Sequence, residues 1–491
     1  MRANYMEYRS PQFRILSDKQ IEELNFSTLQ ILERTGVAFQ CQEALDLLGH
    51  AGADVSDTNR VKIPSHLVEQ ALRTAPKIVT LYDREGKPAI VLNGQNGARF
   101  GAVPDCPEYL DPNTGKRRKC YIEDIAGMVR MIDALPNLHF VSTSSAHWTL
   151  PGAIADKVSV LQAILNTSKP IIGNISNASN MQEILTLCAL VSGGEVALRK
   201  KPFFGILSEP VSPLIQGRDA LEKSLLCAEK GIPVIVQSMT MAGASTPATL
   251  AGCLAITSAE ALSQIVVLQL KNPGTPVIFG GIPSIMDMRT TICSTGAPEL
   301  GVLIAALTEL AHYYGLPIYG TAGWTDAAVI GPQMGIEATY QIMLSALSGQ
   351  DLVHDIGLAY GARLVSPEMA VLGNEIVGMI NPLMSGIAIN DETIPLDLIE
   401  KVGPGGTFIS EKHTLANFHR FWMPTIFDRS MVKTVTAPDC SILLKKRTIQ
   451  ILKTHRPNTL PDDLVSELKE MERIWFDRMD LRHEYPKLEQ S

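Results

Sequence analysis

Eight short apolar or β-branched runs recur along the chain and constrain its fold more than any other feature. They are about 30–44 residues apart, and most are separated by a segment with helical spacing. Buried strands that alternate with helices imply right-handed crossovers and a parallel sheet. The runs lie at 98–103, 138–144, 169–175, 202–208, 232–238, 276–281, 315–321 and 351–356. Eight such units predict a closed (β/α)8 TIM barrel, with an open doubly wound sheet as the alternative.

The flanking segments predict how the rest of the chain is organised. Residues 18–35 have helical spacing, a second helix follows Pro64, and residues 80–94 resemble a hairpin. We therefore expect three parts. They are an N-terminal helical lead-in with a small β element (1–94), the barrel (95–395) and a C-terminal helical extension packed on the barrel (396–491).

The composition restricts the class of protein. Of the 491 residues 45% are hydrophobic and 19% charged, and the net charge of -8 disfavours a nucleic-acid-binding surface. The eight cysteines are scattered without a C-x-x-C motif, no apolar signal segment is visible, and polar residues interrupt the apolar stretch at 250–270. We expect a cytoplasmic globular protein without a membrane span, and the apolar composition favours a homo-oligomer.

The C-terminal ends of the eight runs predict the position of the site, because TIM-barrel function lies where the strands end. These ends are rich in small polar groups and lack Lys and Arg, so the mouth favours cations over phosphates. The residues there include Asp105, His147, Trp148, Asn174, Glu209, Gln237, Ser284, Trp324, Asp326, His354 and Asp355.

Metal and nucleotide sites are not predicted. The H-E-x-x-H and H-x-H patterns are absent, and a hydrogen-bonded role for His147 and His354 is the commoner alternative to metal ligation. The Gly-rich segment 241–252 lacks the nucleotide fingerprints. It resembles a loop that leads into a helix N-terminus, where N–H groups hold anions, although tight packing explains it equally well.

The stretch 315–326, Gly-Leu-Pro-Ile-Tyr-Gly-Thr-Ala-Gly-Trp-Thr-Asp, reads as a buried strand that opens into a loop. The Trp324 indole has a negative π face and Asp326 a full negative charge, which together suit a cationic ligand. The alternative is structural. Trp148, Trp324 and Tyr360 would then be core aromatics, and Asp326, Glu337 and Glu375 would be caps or ion-pair partners.

Several sequence segments between residues 239 and 429 resemble the sequences of a known family. They are the segment 239–281, DMRT at 287–290, GAPELGVLIAALTELAHYYGLP at 296–317, GWTDAAVIGPQMGIEA at 323–338 and GPGGTFISEKHT at 403–414. Together they are similar to the trimethylamine methyltransferase family, the MttB superfamily of corrinoid-dependent methyltransferases. Weaker similarity extends through the N-terminal part.

The resemblance implies a TIM barrel that moves a methyl group from an amine to the cobalt of a separate corrinoid protein. Trimethylamine-specific members carry pyrrolysine in the loop ahead of a Ser/Thr-Asp pair, and the corresponding residues here are Trp324, Thr325 and Asp326. The resemblance is therefore to the non-pyrrolysine branch. That branch includes enzymes for glycine betaine, proline betaine, carnitine and γ-butyrobetaine.

The chemistry agrees with a quaternary donor, because a quaternary ammonium is already cationic and leaves as a neutral amine. We expect methyl transfer from a quaternary amine, glycine betaine first, to the Co(I) of a cognate corrinoid protein, which gives methyl-Co(III) and dimethylglycine. The corrinoid (cobalamin) is carried by the partner, and this chain is expected to bind no metal or nucleotide. The alternatives are another quaternary amine, a non-catalytic betaine-binding barrel, or a different barrel enzyme such as a lyase.

The predicted roles follow from this reaction. Trp148, Trp324 and Tyr360 form the cation cage, and Asp326 and Glu337 stabilise the ammonium. His354 orients the substrate or holds its carboxylate. The remaining candidates are Asn174, Gln237, Gln333 and Arg363 for polar contacts with the substrate, and Gly243 and Ser284 on the cofactor side.

Overall fold

Eight parallel strands close into a barrel in the computed structural model, which describes residues 13–94, 97–145, 149–429, 439–482 and 485–486. Each strand arises from one of the eight predicted runs, so the TIM-barrel prediction is confirmed and the open sheet is excluded. The strands are β1 (Arg99–Ala102), β2 (Phe140–Thr143), β3 (Ile171–Asn174), β4 (Phe204–Ser208), β5 (Val234–Ser238), β6 (Val277–Gly281), β7 (Ile318–Thr321) and β8 (Leu352–Ile356). Strand β8 pairs with β1 to close the barrel.

One long helix follows each strand. They are α1 (Ile122–Ala134), α2 (Gly152–Asn166), α3 (Ala178–Ser192), α4 (Arg218–Lys230), α5 (Leu250–Lys271), α6 (Pro298–Tyr314), α7 (Pro332–Ser348) and α8 (Pro367–Ser385), and a short helix, Glu195–Lys200, follows α3. Helices α4 and α6 end at Gly231 and Gly315, both left-handed, at φ 71° and 63°. A Gly stop and a Pro then turn the chain into the next strand.

The N-terminal part covers one side of the barrel and its lower end. It contains the helices Asp18–Gln30, Gln42–His50 and Ser65–Thr74, a π-helical turn Ile31–Thr35, and the hairpin Val79–Tyr82 with Pro88–Leu92. The sequence predicted the first and third of these helices and the hairpin, but not Gln42–His50. Gly36 ends the first helical segment, as expected, at φ 77°.

Helix α5 lies at the centre of the helical layer. Among the described residues it is the helix that is long and apolar enough to cross a membrane, and 78% of its most apolar window is buried inside the protein. It packs against Asp18–Gln30 and Ser65–Thr74 on its outer side. Its apolar character therefore matches its position between the barrel and the N-terminal helices.

Small sheets and C-terminal helices complete the structure. The small strands are Ala38–Phe39, Glu108–Leu110, Arg117–Lys119, Ile215–Gln216, Met241–Ala242, Ser284–Asp287, Ile292–Ser294, Leu358–Ala359 and Leu364–Val365. After α8 come Leu396–Val402, Lys412–Asn417, the 3-10 turn Phe418–Arg420, Cys440–Thr454 and Asp462–Arg478. The exact domain boundaries stay a prediction.

The hairpin closes the N-terminal end of the barrel. Its buried residues form one apolar cluster with residues of seven of the eight strands. The cluster comprises Val79, Leu81, Ile90, Leu92, Phe140, Ile172, Leu207, Ile235, Ile278, Tyr319 and Leu352. A Cβ on Gly101 would lie 2.5 Å from the Phe140 ring, so β1 leaves room for that ring. The N-terminal end of the barrel is therefore filled with apolar side chains.

Asp351 holds the end of the hairpin against the barrel. Its carboxylate accepts the backbone N–H groups of Asn93 (3.0 Å), Gly94 (2.8 Å) and Ile318 (3.1 Å). Burial raises the pKa of Asp351, and the three N–H donors oppose that shift. One side chain thus connects the hairpin, β7 and β8.

Replacing Asp351 by Ala is expected to lower the free energy of unfolding by about 2–4 kcal/mol, because three backbone donors lose their acceptor. Urea unfolding followed by circular dichroism measures the change. The control is Glu22→Ala, on the exposed side of the first helix, which should unfold like the wild type. Equal unfolding midpoints for Asp351→Ala and the control would contradict the proposed clamp.

Candidate active site

A polar layer lies directly above the apolar cluster in the barrel. Side chains alternate along a strand, so a residue two positions after an inward apolar residue also points inward. Moving two positions along from Phe140, Ile172, Leu207, Ile235 and Leu352 reaches Ser142, Asn174, Glu209, Gln237 and His354. The floor of the barrel is apolar, and the layer towards its open end is polar.

Glu209 is the acid at the centre of this layer. The Gln237 amide donates to Glu209 Oε1 at 3.1 Å, and the Asn174 side chain also hydrogen-bonds to the carboxyl. Burial raises the pKa of Glu209, while the charges of Lys223 and His354 act against this shift. The site therefore contains a carboxyl group that ionises more readily when a cation approaches.

Lys223 is the cation that lies behind Glu209. It belongs to α4, is buried, and donates from Nζ to the Ile175 carbonyl at 2.6 Å. Burial lowers the pKa of Lys223, and Glu209 opposes this change. Lys223 therefore compensates the negative charge of Glu209 only in part.

His354 is held by contacts on its ring face and on one ring nitrogen. Its ring stacks on Tyr319, with centroids 4.3 Å apart and planes 18° apart, and Nδ1 lies 2.7 Å from Asp355 Oδ1. The Tyr319 hydroxyl is 3.1 Å from Ser142 Oγ across the barrel. His354 Nε2 is buried and has no partner among the described residues. The imidazole therefore presents one fixed, unused nitrogen.

An irregularity in β8 makes the contact between His354 and Asp355 possible. Neighbouring residues on a regular strand point to opposite faces, so their side chains do not meet. Here the pairing of β8 with β1 shifts register between Val353 and Ile356, and Asp355 has a φ of 78°. Asp355 also accepts the Thr321 hydroxyl at 2.5 Å. Bulges of this kind re-aim side chains next to active sites.

Replacing Asp355 by Asn is expected to lower kcat/KM by about 10–100-fold, because a charge-assisted hydrogen bond to His354 is lost. Asn tolerates the left-handed backbone, so the fold should be retained. The amide can donate as well as accept at Nδ1, so it also no longer favours one tautomer of His354. Circular dichroism and steady-state kinetics check both points.

The matched control is Asp133→Asn. Asp133 also binds a histidine, with His455 Nε2 at 2.7 Å, but in the outer layer of the protein. If both variants have the same kcat/KM as the wild type, Asp355 does not position His354 for function.

Trp324 lies in the loop after β7, where the sequence predicted it. The indole is buried, with 2% of its surface exposed, and packs in the main hydrophobic cluster. Its Nε1–H has no acceptor among the described residues. Buried Trp N–H groups usually find a partner, so this donor is available to a ligand.

Asp326 and Glu337 hold the same loop in place. Asp326 accepts the Ser294 hydroxyl (2.5 Å) and the Thr295 N–H and hydroxyl (2.7 Å each). Glu337 accepts the Thr325 hydroxyl and the Asp326 N–H (3.0 Å). A Cβ on Gly296 would lie 2.4 Å from the Glu337 carboxyl carbon, so the packing there is close. Direct stabilisation of an ammonium by these acids stays a prediction, since the structure shows them as loop anchors.

The other predicted residues are dispersed around the mouth. Gln333 is exposed and donates to Glu337 at 2.8 Å. Tyr360 is 40% exposed and its ring already lies under the Arg117 guanidinium, 4.3 Å away. Arg363 is exposed on the following turn.

Gly243 and Ser284 belong to a small sheet next to the mouth. Gly243 forms a turn at φ 90° in which its N–H donates to the Thr246 carbonyl at 3.1 Å. Ser284 is buried and donates to the Ser294 carbonyl at 2.5 Å. These contacts are local, and a cofactor-side role for either residue stays a prediction. Trp148 lies outside the described residues.

The structure thus brings Asn174, Gln237 and His354 together around Glu209, and groups Trp324, Asp326, Glu337 and Gln333 in the adjacent loop network. Glu209, Tyr319 and Asp355 were given no role from the sequence. Side chains alternate between inward and outward positions along a strand. When this alternation is continued from Leu207 past the end of β4, it identifies Glu209 as an inward residue. Nothing local in the sequence predicts the register shift at Asp355.

A barrel sealed at one end, with a polar layer and unused hydrogen-bonding groups at the other, has the arrangement of a TIM-barrel enzyme. Comparison with known proteins identifies the family. The chain belongs to the trimethylamine methyltransferase (MTTB) family, whose model matches residues 1–473. It contains no pyrrolysine and belongs with the non-pyrrolysine members.

Two curated relatives come from Desulfitobacterium hafniense. The trimethylamine methyltransferase MttB of strain DSM 10664 / DCB-2 is 34% identical over 457 residues, 92% of each chain. The glycine betaine methyltransferase of strain Y51 is 31% identical over 471 residues, which covers 94% of this chain and 96% of the relative. The chain is therefore a methyltransferase.

The solved structures show the same fold. The monomethylamine methyltransferase MtmB of Methanosarcina barkeri superposes with a TM-score of 0.54 and is 12% identical, with 96% of this chain and 89% of that chain covered. A hydroxylamine complex of MtmB gives a TM-score of 0.53 at 13% identity, covering 95% and 89%. At this level of identity the comparison concerns the fold alone.

Proposed function

We propose that this enzyme transfers a methyl group from a quaternary amine, glycine betaine first, to the Co(I) of a corrinoid carried by a partner protein in the cytoplasm. The observation that carries the proposal is the Glu209 carboxyl in the polar layer, beside acceptor groups that have no partner of their own. Gln237 Oε1 and His354 Nε2 are both buried and without a partner among the described residues. These atoms attract the positive charge of a quaternary ammonium electrostatically, without a hydrogen bond.

Glu209 supplies the charge that recognises the ammonium. Because burial raises its pKa, the ionised form is disfavoured in the free enzyme and becomes favourable when a cation binds. Binding then releases a proton from Glu209, so affinity increases with pH through the pKa of this group. A quaternary nitrogen has no N–H to donate, so recognition depends on charge and on aromatic contact.

The polar layer also suits the chemical step. The N–CH3 bond breaks with its electron pair left on nitrogen, and Co(I) donates the electron pair of the new Co–C bond and becomes Co(III). The ammonium charge disappears in this step, and Glu209 can then take its proton back. The protein holds one N–CH3 bond towards the open end of the barrel and keeps water away, which in favourable cases contributes about 7–11 kcal/mol.

The substrate carboxylate requires hydrogen-bond donors. Trp324 Nε1–H is such a donor, since it is buried and has no acceptor in the part of the chain that the structure describes. A zwitterionic betaine with its ammonium towards Glu209 and its carboxylate towards Trp324 would satisfy both groups. This arrangement favours betaines over trimethylamine, which has no carboxylate.

The identities to the two D. hafniense relatives differ by too little to decide the substrate. The residue at position 324 is more informative, because trimethylamine-specific members are expected to carry pyrrolysine there. The partner's approach fits the open end of the barrel, where Met239, Met288 and Val329 are exposed. A corrinoid protein that docks there brings its cobalt over the polar layer.

The decisive experiment is a methyl-transfer assay with Co(I) cobalamin and a panel of amines. The panel contains glycine betaine, proline betaine, carnitine, γ-butyrobetaine and trimethylamine, and methyl-Co(III) is followed by its absorbance. Turnover of glycine betaine supports the proposal as stated, and turnover of another betaine alone changes only the substrate. Turnover of trimethylamine and of no quaternary amine would overturn it.

Replacing Glu209 by Gln is expected to raise KM for every quaternary amine by about 10–100-fold, since a charge-assisted interaction is lost. The wild-type affinity should fall as the pH decreases through the pKa of Glu209, whereas the affinity of the variant should be independent of pH in that range. Isothermal titration calorimetry at several pH values measures both. The exposed Glu222→Gln on α4 is the control. A variant with the wild-type pH dependence would exclude Glu209 as the counter-ion.

Replacing Trp324 by Phe removes the N–H donor but keeps an aromatic ring. KM for glycine betaine should rise by about 10–100-fold, the value of a hydrogen bond to a charged group. Affinity for tetramethylammonium, which has no carboxylate, should change by less than about 3-fold. The control is Trp475→Phe, a buried Trp of the C-terminal helix Asp462–Arg478. Equal effects on the two ligands would argue that the indole only packs.

A further inference from the structure

The contact between Glu209 and Gln237 joins residues at the ends of two neighbouring strands. Glu209 directly follows β4, and Gln237 belongs to β5. The backbone pairing of these strands extends to Ser208 and Val236, one residue before each of the two side chains. The 3.1 Å contact therefore depends on how the chain that leaves β4 is placed against the end of β5.

Glu260 of α5 is a buried carboxylate that contacts both of these chain segments. Its Oε2 atom accepts the hydroxyl of Ser238, and also that of Ser212 at 2.7 Å. Its Oε1 atom accepts the backbone N–H of Leu214 at 2.7 Å. Burial raises the pKa of Glu260, and these three donors oppose that shift. Both oxygens of this carboxyl are thus used to hold other parts of the chain.

The segments that Glu260 holds are the ones that carry the polar pair. Ser238 is the residue after Gln237, so the alternation along β5 directs its side chain away from the barrel interior and towards α5. Ser212 and Leu214 lie in the loop that begins with Glu209. A single side chain outside the barrel therefore connects the loop after β4 to the end of β5.

The loop after β4 has a backbone conformation that requires support. Leu214 has a φ of 58°, in the left-handed region, which is unfavourable for a residue with a Cβ. Its N–H is bound by Glu260, and its carbonyl accepts the N–H of Ala38 at 2.9 Å. The Gln216 amide also donates to the main-chain carbonyl of Glu260 at 2.8 Å. Conformations of this kind persist where the surrounding structure determines them, and they cluster at functional sites.

A second buried acid provides a comparison. Glu309 of α6 is 6% exposed and accepts the N–H groups of Ile15 (2.6 Å) and Leu16 (3.2 Å). It resembles Glu260 in burial and in its use of backbone donors. The segment that it holds belongs to the N-terminal part of the chain, so Glu309 has no connection of this kind to the polar layer.

We propose that Glu260 is a positioning residue for the methyl-transfer site, which keeps Glu209 and Gln237 in contact by fixing the loop after β4 to the end of β5. The inference rests on the proposed role of Glu209 as the counter-ion of the ammonium. Glu260 lies on the outer side of the barrel wall, so it acts on the substrate only through this pair.

The test is a double-mutant cycle in which calorimetry measures the affinity for glycine betaine. The four proteins are the wild type, Glu260→Ala, Glu209→Gln and the variant with both changes. Glu260→Ala is expected to weaken binding by about 10-fold when Glu209 is present, on the order of one hydrogen bond to a charged group. In the Glu209→Gln background it should weaken binding by less than about 3-fold, because the residue that it positions has lost its charge. Equal factors in the two backgrounds, or no effect in either, would overturn the proposal.

Two further variants separate binding from folding. Glu309→Ala also removes a buried carboxylate from two backbone donors, so it should lower the thermal midpoint and leave the affinity within about 2-fold of the wild type. An equal loss of affinity in Glu309→Ala and Glu260→Ala would reduce the effect to general destabilisation and contradict the proposal. Glu260→Gln keeps the side-chain shape and one acceptor oxygen, so its affinity should lie between those of the wild type and Glu260→Ala. It takes the place of Glu260→Ala in the cycle if that variant does not fold.

A crystal structure of the Glu260 variant distinguishes this inference from the proposed function. The distance from Gln237 Nε2 to Glu209 Oε1 should increase beyond hydrogen-bonding distance. A contact that stays at 3.1 Å would overturn the positioning role, whatever the substrate is. If the contact is lost but Glu209→Gln binds glycine betaine as tightly as the wild type, Glu260 holds the pair and the proposed role of Glu209 is wrong.

Discussion

The closure of one end of the barrel by the hairpin Val79–Leu92 determines where chemistry is possible in this protein. The hairpin fills the N-terminal end with apolar side chains, and Asp351 ties its exit to β7 and β8. With that end sealed, the inward polar residues of the strands meet solvent only through the mouth. Burial raises the pKa of Glu209, so in the proposed function its ionised form becomes favourable only when a cation binds. Substrate recognition and the architecture of the lower barrel are thus linked through burial.

Acidic side chains have two different uses in the structure. One group of carboxylates accepts hydrogen bonds from backbone N–H groups and so fixes the backbone geometry. This group comprises Asp326, Glu337, Glu375 and Asp351. Glu209 accepts the Gln237 amide, whose Oε1 has no partner among the described residues, so its surroundings can still rearrange around a ligand. The anchoring carboxylates fix the geometry of the loops at the mouth, while Glu209 is proposed to balance the charge of the substrate. Because the anchoring acids are occupied by hydrogen-bond donors of the protein, several acids near the mouth are compatible with a reaction that removes a positive charge.

The sequence predicted the barrel well because strands, helix ends and Gly-Pro junctions are local patterns, as at Gly231 and Gly315. It also placed Asn174, Gln237, His354 and Trp324 at the mouth. The sequence predicted that Asp326 and Glu337 stabilise the ammonium. It could not show their role as loop anchors, because their hydrogen-bond partners become neighbours only in the folded loops. These partners are Ser294, Thr295 and Thr325. The meeting of His354 with Asp355 depends on a register shift between β8 and β1, two strands from opposite ends of the barrel sequence. Such contacts are set by tertiary structure and are not visible in residue spacing.

The clamp on the hairpin also has a consequence for how the chain is made. Asn93 and its acceptor Asp351 are 258 residues apart in sequence. At a synthesis rate of roughly 5–20 residues per second, the hairpin waits on the order of 10–50 s after its own translation before β8 emerges from the ribosome. During that interval its apolar face is uncovered, and the barrel cannot close from the N-terminal side alone. Closure of the barrel is therefore a late event in the synthesis of the chain, and it follows the hairpin by most of the barrel sequence.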